Sequence, residues 1–519
     1  MHWQDVLVVV LYMMALVAIG LRTAHRQTTT ARYFVAERSI PGWAAGMSLL
    51  ATIITSVTFI AYPGAAYAGD WNLLVPGIMF VAVVALIGWV IIPFFRHSVS
   101  MSVYEYFGRR FGTTVRMYAS FAFAIGHFSK MGFVFYLLAL SVCGITGWSI
   151  GGIILVLGVI TVFYTLIGGL EAVIWTDVLQ GFVLWSGVIV TIGILLFGSH
   201  VPAGQMLHLI VANHKMALGS PKFDLSAPTF WTLCLYGFFF YLQKYTADQT
   251  VVQRYLAART DEQALKGIGM GAFLCLPAWT AFMLIGSLLW AFYRLAGEQL
   301  PAAITKPDQV FPHFMVTHMP VGLAGLFLAA LFGAAMSMLA SDLNCLAVIT
   351  AEDFYAQFFP SHTDRQKLRF SKISIGVCGF LAIAVALRLS TTRGSALALY
   401  YTVTAIVAGG LAGLFLLAFL SRRAGKAAAV AGITVNLCFT AWATLTMNGG
   451  QTIDLHRWNY RWHEYTIGAV GNILLLLAGL IVAQLIPANA SDSSRLTLLA
   501  WLAMQRQARQ AGICVGDPL

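Results

Sequence analysis

Apolar stretches of about twenty residues recur along the chain, the first starting at Asp5 and the last ending before Pro487. Each stretch is long enough to cross a hydrocarbon core of roughly 30 Å as an α-helix. Only helices or closed barrels can satisfy their backbone groups in that core, and these stretches lack the alternation of barrel strands. The sequence therefore predicts an all-α integral membrane protein.

The pattern predicts about thirteen transmembrane helices. Apolar residues make up 59% of the 519 positions and charged residues only 10%, which is more apolar side chain than a soluble core would bury. The first stretch has no basic start and no small-residue cleavage site, so we interpret it as a retained helix and not a signal peptide. The predicted spans are 5–22, 43–68, 74–95, 117–143, 148–168, 177–198, 229–250, 269–293, 321–351, 373–390, 395–420, 427–447 and 465–486.

The net charge of +11 follows the loops and forms no single patch, so it does not indicate nucleic-acid binding. With the N-terminus outside and the C-terminus in the cytoplasm, most lysines and arginines fall on the cytoplasmic side, as the positive-inside rule requires. We therefore expect a multi-pass protein of the inner (plasma) membrane with an odd number of spans. The predicted cytoplasmic basic residues include Arg22, Arg26, Arg32, Arg38, Arg96, Arg109, Arg110, Arg116, Lys244, Arg254, Arg259, Lys266, Arg422 and Arg423.

The second span contains poor helix-forming sequence at its centre. Several β-branched residues between Thr52 and Thr58 are followed by Pro63-Gly64, which predicts a local break in the helix. In many secondary transporters such breaks lie near the bilayer midplane and expose carbonyl groups to a coupling cation. A threonine-lined helix kinked at Pro63 is the alternative.

The ninth span carries small and polar residues on one face. Ala334, Ser337, Ser341 and Asn344 follow each other at helical spacing, which suits either helix packing or a row of oxygen ligands. Asp342 favours a functional interpretation, because an ionisable residue within the membrane is costly.

Two further charges fall in or beside apolar spans. Asp177 either caps the N-terminus of the sixth span or has a functional role. Lys130 lies in the middle of the fourth span, too deep to reach the interface easily. It needs a cavity, a carboxylate such as Asp177 or Asp342, or an anionic substrate beside it. The sequence shows no nucleophile with a base, metal cluster or phosphate loop, so an enzyme is not indicated.

The segment YTLIGGLEAVIWTDVLQGF resembles the signature of the sodium:solute symporter family, which contains sodium/glucose, sodium/proline and sodium/sialic acid symporters. MSVYEYFGRRFG, DQTVVQRYLAAR and the serine-rich ninth span ending in AEDFY are similar to family segments in the same order. The resemblance implies an inverted-repeat core of five plus five helices with broken helices. The expected divisions are an extra helix and loop at 1–42, repeats at 43–200 and 201–420, two helices at 421–487 and a cytoplasmic tail at 488–519.

The resemblance also implies ligands for sodium, the expected coupling ion. The family's common site corresponds here to carbonyls of Ala51, Ile54 and Ala334 and the hydroxyl of Ser337. The next family hydroxyl is replaced by Met338, and a thioether is a poor ligand for a hard cation. A second sodium site of some relatives corresponds to Asp177 and Ser341. Asp342 is a further, uncertain candidate, because it lies about 100° around the helix from Ser341.

In the sialic acid branch, the broken helix supplies hydroxyls to the substrate, and an arginine of the third core helix binds its carboxylate. Thr55 and Thr58 correspond to two such hydroxyls, Ile53 replaces a third, and Lys130 stands at the position of the arginine. Lysine keeps the charge but loses the bidentate fork.

We therefore expect a symporter that imports a small organic solute with sodium by alternating access. The expected solute is a sugar or an acidic sugar such as sialic acid or a related carboxylate. Its expected partners are that solute, sodium ions and the lipid bilayer, with no nucleic acid and no obligatory protein. A solute sensor and a proton-coupled or uncoupled carrier on the same fold are the alternatives.

Overall fold

The computed structural model describes residues 2–198, 200–302, 304–391, 409–450, 453–486 and 496–510. These residues form helices and loops, without a β-strand among them. The helices are α1 (Trp3–Ala24), α2 (Thr30–Val35), α3 (Gly42–Ile53), α4 (Ser56–Ala68), α5 (Leu74–Ser98), α6 (Tyr104–Phe111), α7 (Thr113–Thr146), α8 (Ile150–Gly193), α9 (Ala203–Ala212), α10 (Phe230–Ala247), α11 (Gln249–Ala257), α12 (Asp261–Leu295), α13 (Val310–Thr317), α14 (Leu323–Val348), α15 (Ala356–Phe358), α16 (Asp364–Thr391), α17 (Leu411–Leu420), α18 (Lys426–Gly450), α19 (Tyr465–Leu485) and α20 (Leu498–Gln510).

The prediction of an all-α membrane protein is confirmed. Within the described residues, 9 helices are long and apolar enough to cross a membrane, or 10 if the broken pair α3–α4 is one span. The eleventh predicted span starts outside the described residues, which omit 395–408 of it and also 488–495 and 511–519 of the predicted tail. The number of thirteen spans therefore stays a prediction.

The helix α8 contains two predicted spans. Its 44 residues would extend for about 65 Å as a straight helix, roughly twice the thickness of the hydrocarbon core. Gly169 interrupts it with φ 56° and ψ −157°, a conformation that a residue with a Cβ atom rarely adopts. The two segments, 150–168 and 170–193, correspond to the fifth and sixth predicted spans.

Glycines bring the broken helix into close contact with α12. Gly42 and Gly46 of α3 lie against the backbone at Gly267 and Gly271, with no room for a Cβ atom at any of the four positions. Gly286 of α12 lies against the backbone of Pro63 in α4, again with no room for a Cβ atom. Contacts between small residues are a common way to pack membrane helices, because the backbones can approach closely.

The helix α14 is the most deeply buried of the long helices in the described part of the chain. It packs against α1, α3, α7, α8 and α16. Its serines and Asp342 therefore face other helices and not lipid, with Ser337, Ser341 and Asp342 all fully buried.

Candidate functional site

The second predicted span is broken where its β-branched residues predict a break. Helix α3 ends at Ile53, Ile54 has φ −87° and ψ 99°, and Thr55 is extended before α4 starts. The helical segments on the two sides of the break are bent by 58° relative to each other. Such a break removes backbone carbonyls from the helical ladder and makes them available to a ligand.

The four residues expected to bind the first sodium ion are all buried. Ala51 and Ile54 lie at the break, while Ala334 and Ser337 lie in α14. These two elements contact each other, since the hydroxyl oxygen of Thr52, next to Ala51, lies 3.4 Å from that of Ser341, one turn after Ser337. The structure therefore brings both halves of the expected ligand set to the same region of the protein.

The hydroxyl of Ser337 donates a hydrogen bond of 2.5 Å to Oδ1 of Asp177. A hydroxyl that donates its proton to a carboxylate keeps its oxygen lone pairs for a cation. The oxygens in this region suit sodium, whereas the neighbouring Met338 is buried and offers only sulfur.

Asp177 lies inside the second segment of α8 and is fully buried. The interpretation of Asp177 as an N-cap is therefore wrong. Besides the bond from Ser337, its carboxylate accepts a hydrogen bond of 2.5 Å from Ser48 of α3. It also accepts one of 2.9 Å from Nη2 of Arg254 in α11. Asp177 thus connects four helices.

The guanidinium of Arg254 occupies the space between the residues expected to bind a second sodium ion. Its Nη2 donates to Ser341 at 2.6 Å as well as to Asp177 and Thr52. Its Nε donates to Ser48 at 2.8 Å, and Nη1 donates to the backbone carbonyl of Thr250. Five protein oxygens therefore satisfy this buried cation.

Arg254 is among the basic residues predicted for the cytoplasmic segments, and the structure shows its side chain to be fully buried. The burial of Arg254 was not predicted, because α11 is a short, polar helix next to a predicted span. In the structure, Asp177 and Ser341 do lie close together, but both contact the same guanidinium nitrogen. A sodium ion between them would have to share these oxygens with Arg254.

Lys130 forms an ion pair with Asp342. Its Nζ lies 3.3 Å from Oδ1 and donates a hydrogen bond to it, and 3.1 Å from Oδ2 in a direction that makes no hydrogen bond. The Asp342 side chain is 1% exposed, while that of Lys130 is 35% exposed. Of the two carboxylates considered from the sequence, Asp342 is therefore the partner and Asp177 is not.

His127 extends this ion pair into a chain of ionisable side chains. Its Nδ1 lies 2.7 Å from Asp342 Oδ1, and its Nε2 lies 3.4 Å from Asp248 Oδ2. Lys244 forms a further ion pair of 2.5 Å with Asp248. The chain connects α7 with α14 on one side and with the α10–α11 junction on the other.

The sequence contained a signal for His127 that we did not use. His127 and Lys130 are three residues apart in an apolar span, and therefore on the same helical face. Asp248 was harder to find, because it lies between two helices and its side chain also accepts a bond from the Thr250 amide as an N-cap.

The expected substrate contacts at the break have free hydroxyls. The hydroxyls of Thr55 and Thr58 make no hydrogen bond with another side chain or with the backbone in the described part of the chain. Ile53, at the end of α3, is partly buried. Since α4 starts at Ser56, the N–H groups of its first turn form a partly positive helix end at the break.

A cavity of 560 Å³ leads away from the break. It extends from Ser56 along α4 and α7 to the segment before α13, where Lys306, Asp308 and His313 line it. Burial raises the pKa of Asp308, and the charge of Lys306 opposes this effect. A cavity with a mostly apolar lining therefore connects the start of α4 with polar residues before and within α13.

Comparison with known proteins identifies relatives along most of the chain. The sequence model of the sodium:solute symporter family matches residues 33–435. The sodium/sialic acid symporter NanT of Aliivibrio fischeri is 32% identical over 492 residues, covering 93% of each chain. The sodium/sialic acid symporter SiaT of Proteus mirabilis is 30% identical over 477 residues, covering 91% of this chain and 93% of its own.

A solved structure of a similar protein supports the same relationship. It is the substrate-bound, outward-open state of a Na⁺-coupled sialic acid symporter, which has a novel Na⁺ site. The two structures superpose with a TM-score of 0.86 at 29% sequence identity, covering 94% of this chain and all of the other.

Proposed function

The chain belongs to the sodium:solute symporter family, and on this premise we propose that it imports an acidic sugar of the sialic acid class together with sodium. A member of this family is a transporter and not an enzyme, and sodium is its coupling ion. The protein is a multi-pass membrane protein, consistent with the plasma membrane.

The observation that carries the proposal is the position of Lys130, whose partner Asp342 follows Ser341, the residue that contacts Thr52 next to the break. An acidic sugar has one carboxylate and several hydroxyls. Lys130 supplies a partly exposed ammonium, and the start of α4 supplies a partly positive helix end. The free hydroxyls of Thr55 and Thr58 suit the polar groups of a sugar. A neutral sugar would leave the ammonium without a role in binding.

The charge of Lys130 is already balanced by Asp342 in this state. An incoming carboxylate therefore shares the ammonium with Asp342, which keeps His127 as a second partner at 2.7 Å. Because Asp342 keeps an ionisable partner, substrate binding does not incur the full free-energy cost of an isolated buried charge. His127 thus makes Lys130 available to an anion.

Sodium coupling rests on the site formed by Ala51, Ile54, Ala334 and Ser337. One sodium ion that enters across 100 mV contributes about 2.3 kcal/mol, enough for nearly fortyfold accumulation of the solute. In the mechanism we propose, sodium binds between the broken helix and α14 and stabilises the outward-open state. The solute then binds at the break, and the protein rearranges to release both inside.

The arrangement of the chain in the membrane belongs to the same proposal. The repeats at 43–200 and 201–420 form the core, preceded by 1–42 and followed by 421–487 and the tail at 488–519. The N-terminus lies outside and the C-terminus in the cytoplasm, as the distribution of lysine and arginine indicates.

The test is uptake of radiolabelled sialic acid by purified protein in liposomes. We expect uptake with an inward sodium gradient and none above background with choline at the same pH. Unlabelled sialic and uronic acids should compete, whereas neutral sugars should not. Equal uptake in choline and sodium would contradict sodium coupling, and competition by neutral sugars alone would contradict the acidic substrate.

A further inference from the structure

A second, basic cavity of 540 Å³ lies at the end of α1 and beside the start of α3, away from the break at Ile54. Four arginines and a single glutamate line it, together with an apolar wall of Ile19, Ile40, Pro41 and Trp175. The arginines come from three parts of the chain: Arg22 and Arg26 from the end of α1 and the residues just after it, Arg32 from α2, and Arg259 from the connection between α11 and α12.

The positive charge of this cavity is only partly balanced. Arg26 and Arg32 share Glu171, at 3.4 Å and 3.0 Å respectively. Neither Arg22 nor Arg259 has a carboxylate within ion-pair distance among the described residues. Two guanidinium groups are therefore available to an anion, and guanidinium groups bind phosphate oxygens with good geometry.

The backbone fixes Arg259 at the cavity. Two main-chain hydrogen bonds join Ile40 to the segment after α11. The Ile40 amide donates to the Ala257 carbonyl at 3.1 Å, and the Arg259 amide donates to the Ile40 carbonyl at 3.1 Å. The Arg259 side chain also donates from Nε to the Ser39 carbonyl at 2.8 Å. Its remaining guanidinium N–H groups have no acceptor among the described residues, and Arg259 lines the cavity.

The apolar wall of the cavity indicates which kind of anion the cavity can bind. Trp175 contacts Trp43 edge to face, with ring centroids 5.8 Å apart, and Trp43 is 47% exposed on the surface of α3. Tryptophans concentrate at the level of the lipid headgroups, and the cavity lies at the end of the apolar helix α1, where those headgroups are. An amphiphile can therefore place its phosphate among the arginines and its glycerol and first methylenes against the tryptophans.

We propose that this cavity binds the headgroup of an anionic phospholipid, such as phosphatidylglycerol or cardiolipin. Basic pockets between transmembrane helices are known to bind anionic lipid headgroups. The bound lipid connects α1 and α2 with the α11–α12 connection through Arg22, Arg32 and Arg259. It neutralises the two arginines that lack a carboxylate partner.

The test is native mass spectrometry of the full-length protein, delipidated in detergent and titrated with phosphatidylglycerol, with phosphatidylcholine or with inorganic phosphate. The variant is Arg22→Gln combined with Arg259→Gln. Its matched control is Arg422→Gln combined with Arg423→Gln, which removes two exposed arginines outside the cavity. If the first variant does not fold, as judged by its melting transition, Arg259→Gln alone takes its place.

We expect wild type and control to bind phosphatidylglycerol in preference to phosphatidylcholine. The cavity variant should bind phosphatidylglycerol roughly thirtyfold more weakly, because two arginine–phosphate attractions are lost. The proposal is overturned if the cavity variant binds phosphatidylglycerol as tightly as the control, or if wild type binds the two lipids equally. It is also overturned if inorganic phosphate binds as tightly as phosphatidylglycerol and is lost in the cavity variant, since the site would then serve a free anion.

Discussion

Arg254 and Asp177 form an ion pair of 2.9 Å in which both side chains are completely buried. The pair joins α11 to α8, and the hydroxyls of Ser48, Thr52, Ser337 and Ser341 surround it. A protein cation thus lies where the family resemblance led us to expect a second sodium ion. Because Ser337 is both a donor to Asp177 and an expected ligand of the first sodium ion, we expect the pair also to influence sodium binding there.

We expect Asp177→Asn to destabilise the protein strongly. The change leaves the Arg254 guanidinium buried without a counter-charge, and breaking a buried ion pair in this way typically costs about 3–5 kcal/mol. The measurement is the melting temperature of the purified variant in detergent. The double variant Asp177→Asn with Arg254→Gln should recover part of the loss. A single variant as stable as wild type would show that Arg254 does not depend on Asp177.

We expect Ser337→Ala to raise the sodium concentration that gives half-maximal uptake by about fivefold, as for the loss of one hydrogen-bond-like contact. The variant loses a ligand oxygen and also a donor to Asp177, so its melting temperature has to be measured alongside. Thr232→Ala, a buried hydroxyl of α10 far along the chain from the site, is the control. The same sodium dependence in Ser337→Ala and wild type would remove Ser337 from the sodium site.

We expect Met338→Ser to lower the half-maximal sodium concentration. The substitution exchanges a buried thioether for an oxygen at the position where family members usually carry a hydroxyl, and sodium prefers oxygen ligands. Met336→Ser, also buried in α14, tests the cost of placing a serine in this helix without placing it at the site. If both variants change the sodium dependence equally, Met338 has no specific effect.

We expect Lys130→Gln to weaken binding of an acidic sugar by roughly tenfold to a hundredfold, which is typical of losing a charged hydrogen bond. The melting temperature should change little, because Asp342 keeps His127 as a partner. Lys130→Arg should retain binding through a bidentate contact. Thermal-shift titrations with sialic acid measure both effects.

The opposite result for Lys130→Gln would identify a structural ion pair. In that case the melting temperature would fall while the affinity for sialic acid stayed the same, and the double variant with Asp342→Asn would regain stability. Full-strength binding of a neutral sugar, with no anion bound by wild type, would also contradict the acidic substrate.

The helices and the break were predictable because each depends on local sequence. Apolar stretches determine where α5 and α12 cross the membrane, and the β-branched residues before Thr55 interrupt the second span. The partner of Asp177 was not predictable in this way. Arg254 lies 77 positions away in a polar segment, and only the packing of α11 between α3 and α14 buries it.

The ion-pair partner of Lys130 also depends on packing and could not be identified from the sequence. Its position within an apolar stretch required a compensating charge, and the sequence offered two carboxylates without a physical criterion to choose between them. The choice of Asp342 depends on the rotation of α14 against α7, which a residue pattern does not contain. His127 was not predicted, because carboxylates and substrate were the expected partners of a lysine, and not a second basic group beside it.

The glycine contacts along α12 restrict how the transport cycle can proceed. One end of this continuous helix is locked to α3 through Gly46 and Gly271, and the other is locked to α4 through Gly286 and Pro63. Rotating α3 relative to α4 at Ile54 would force one of these backbone contacts to separate. We therefore expect α3, α4 and α12 to move together during transport, with the displacement taken up at the surfaces that they share with α5, α7, α8 and α14.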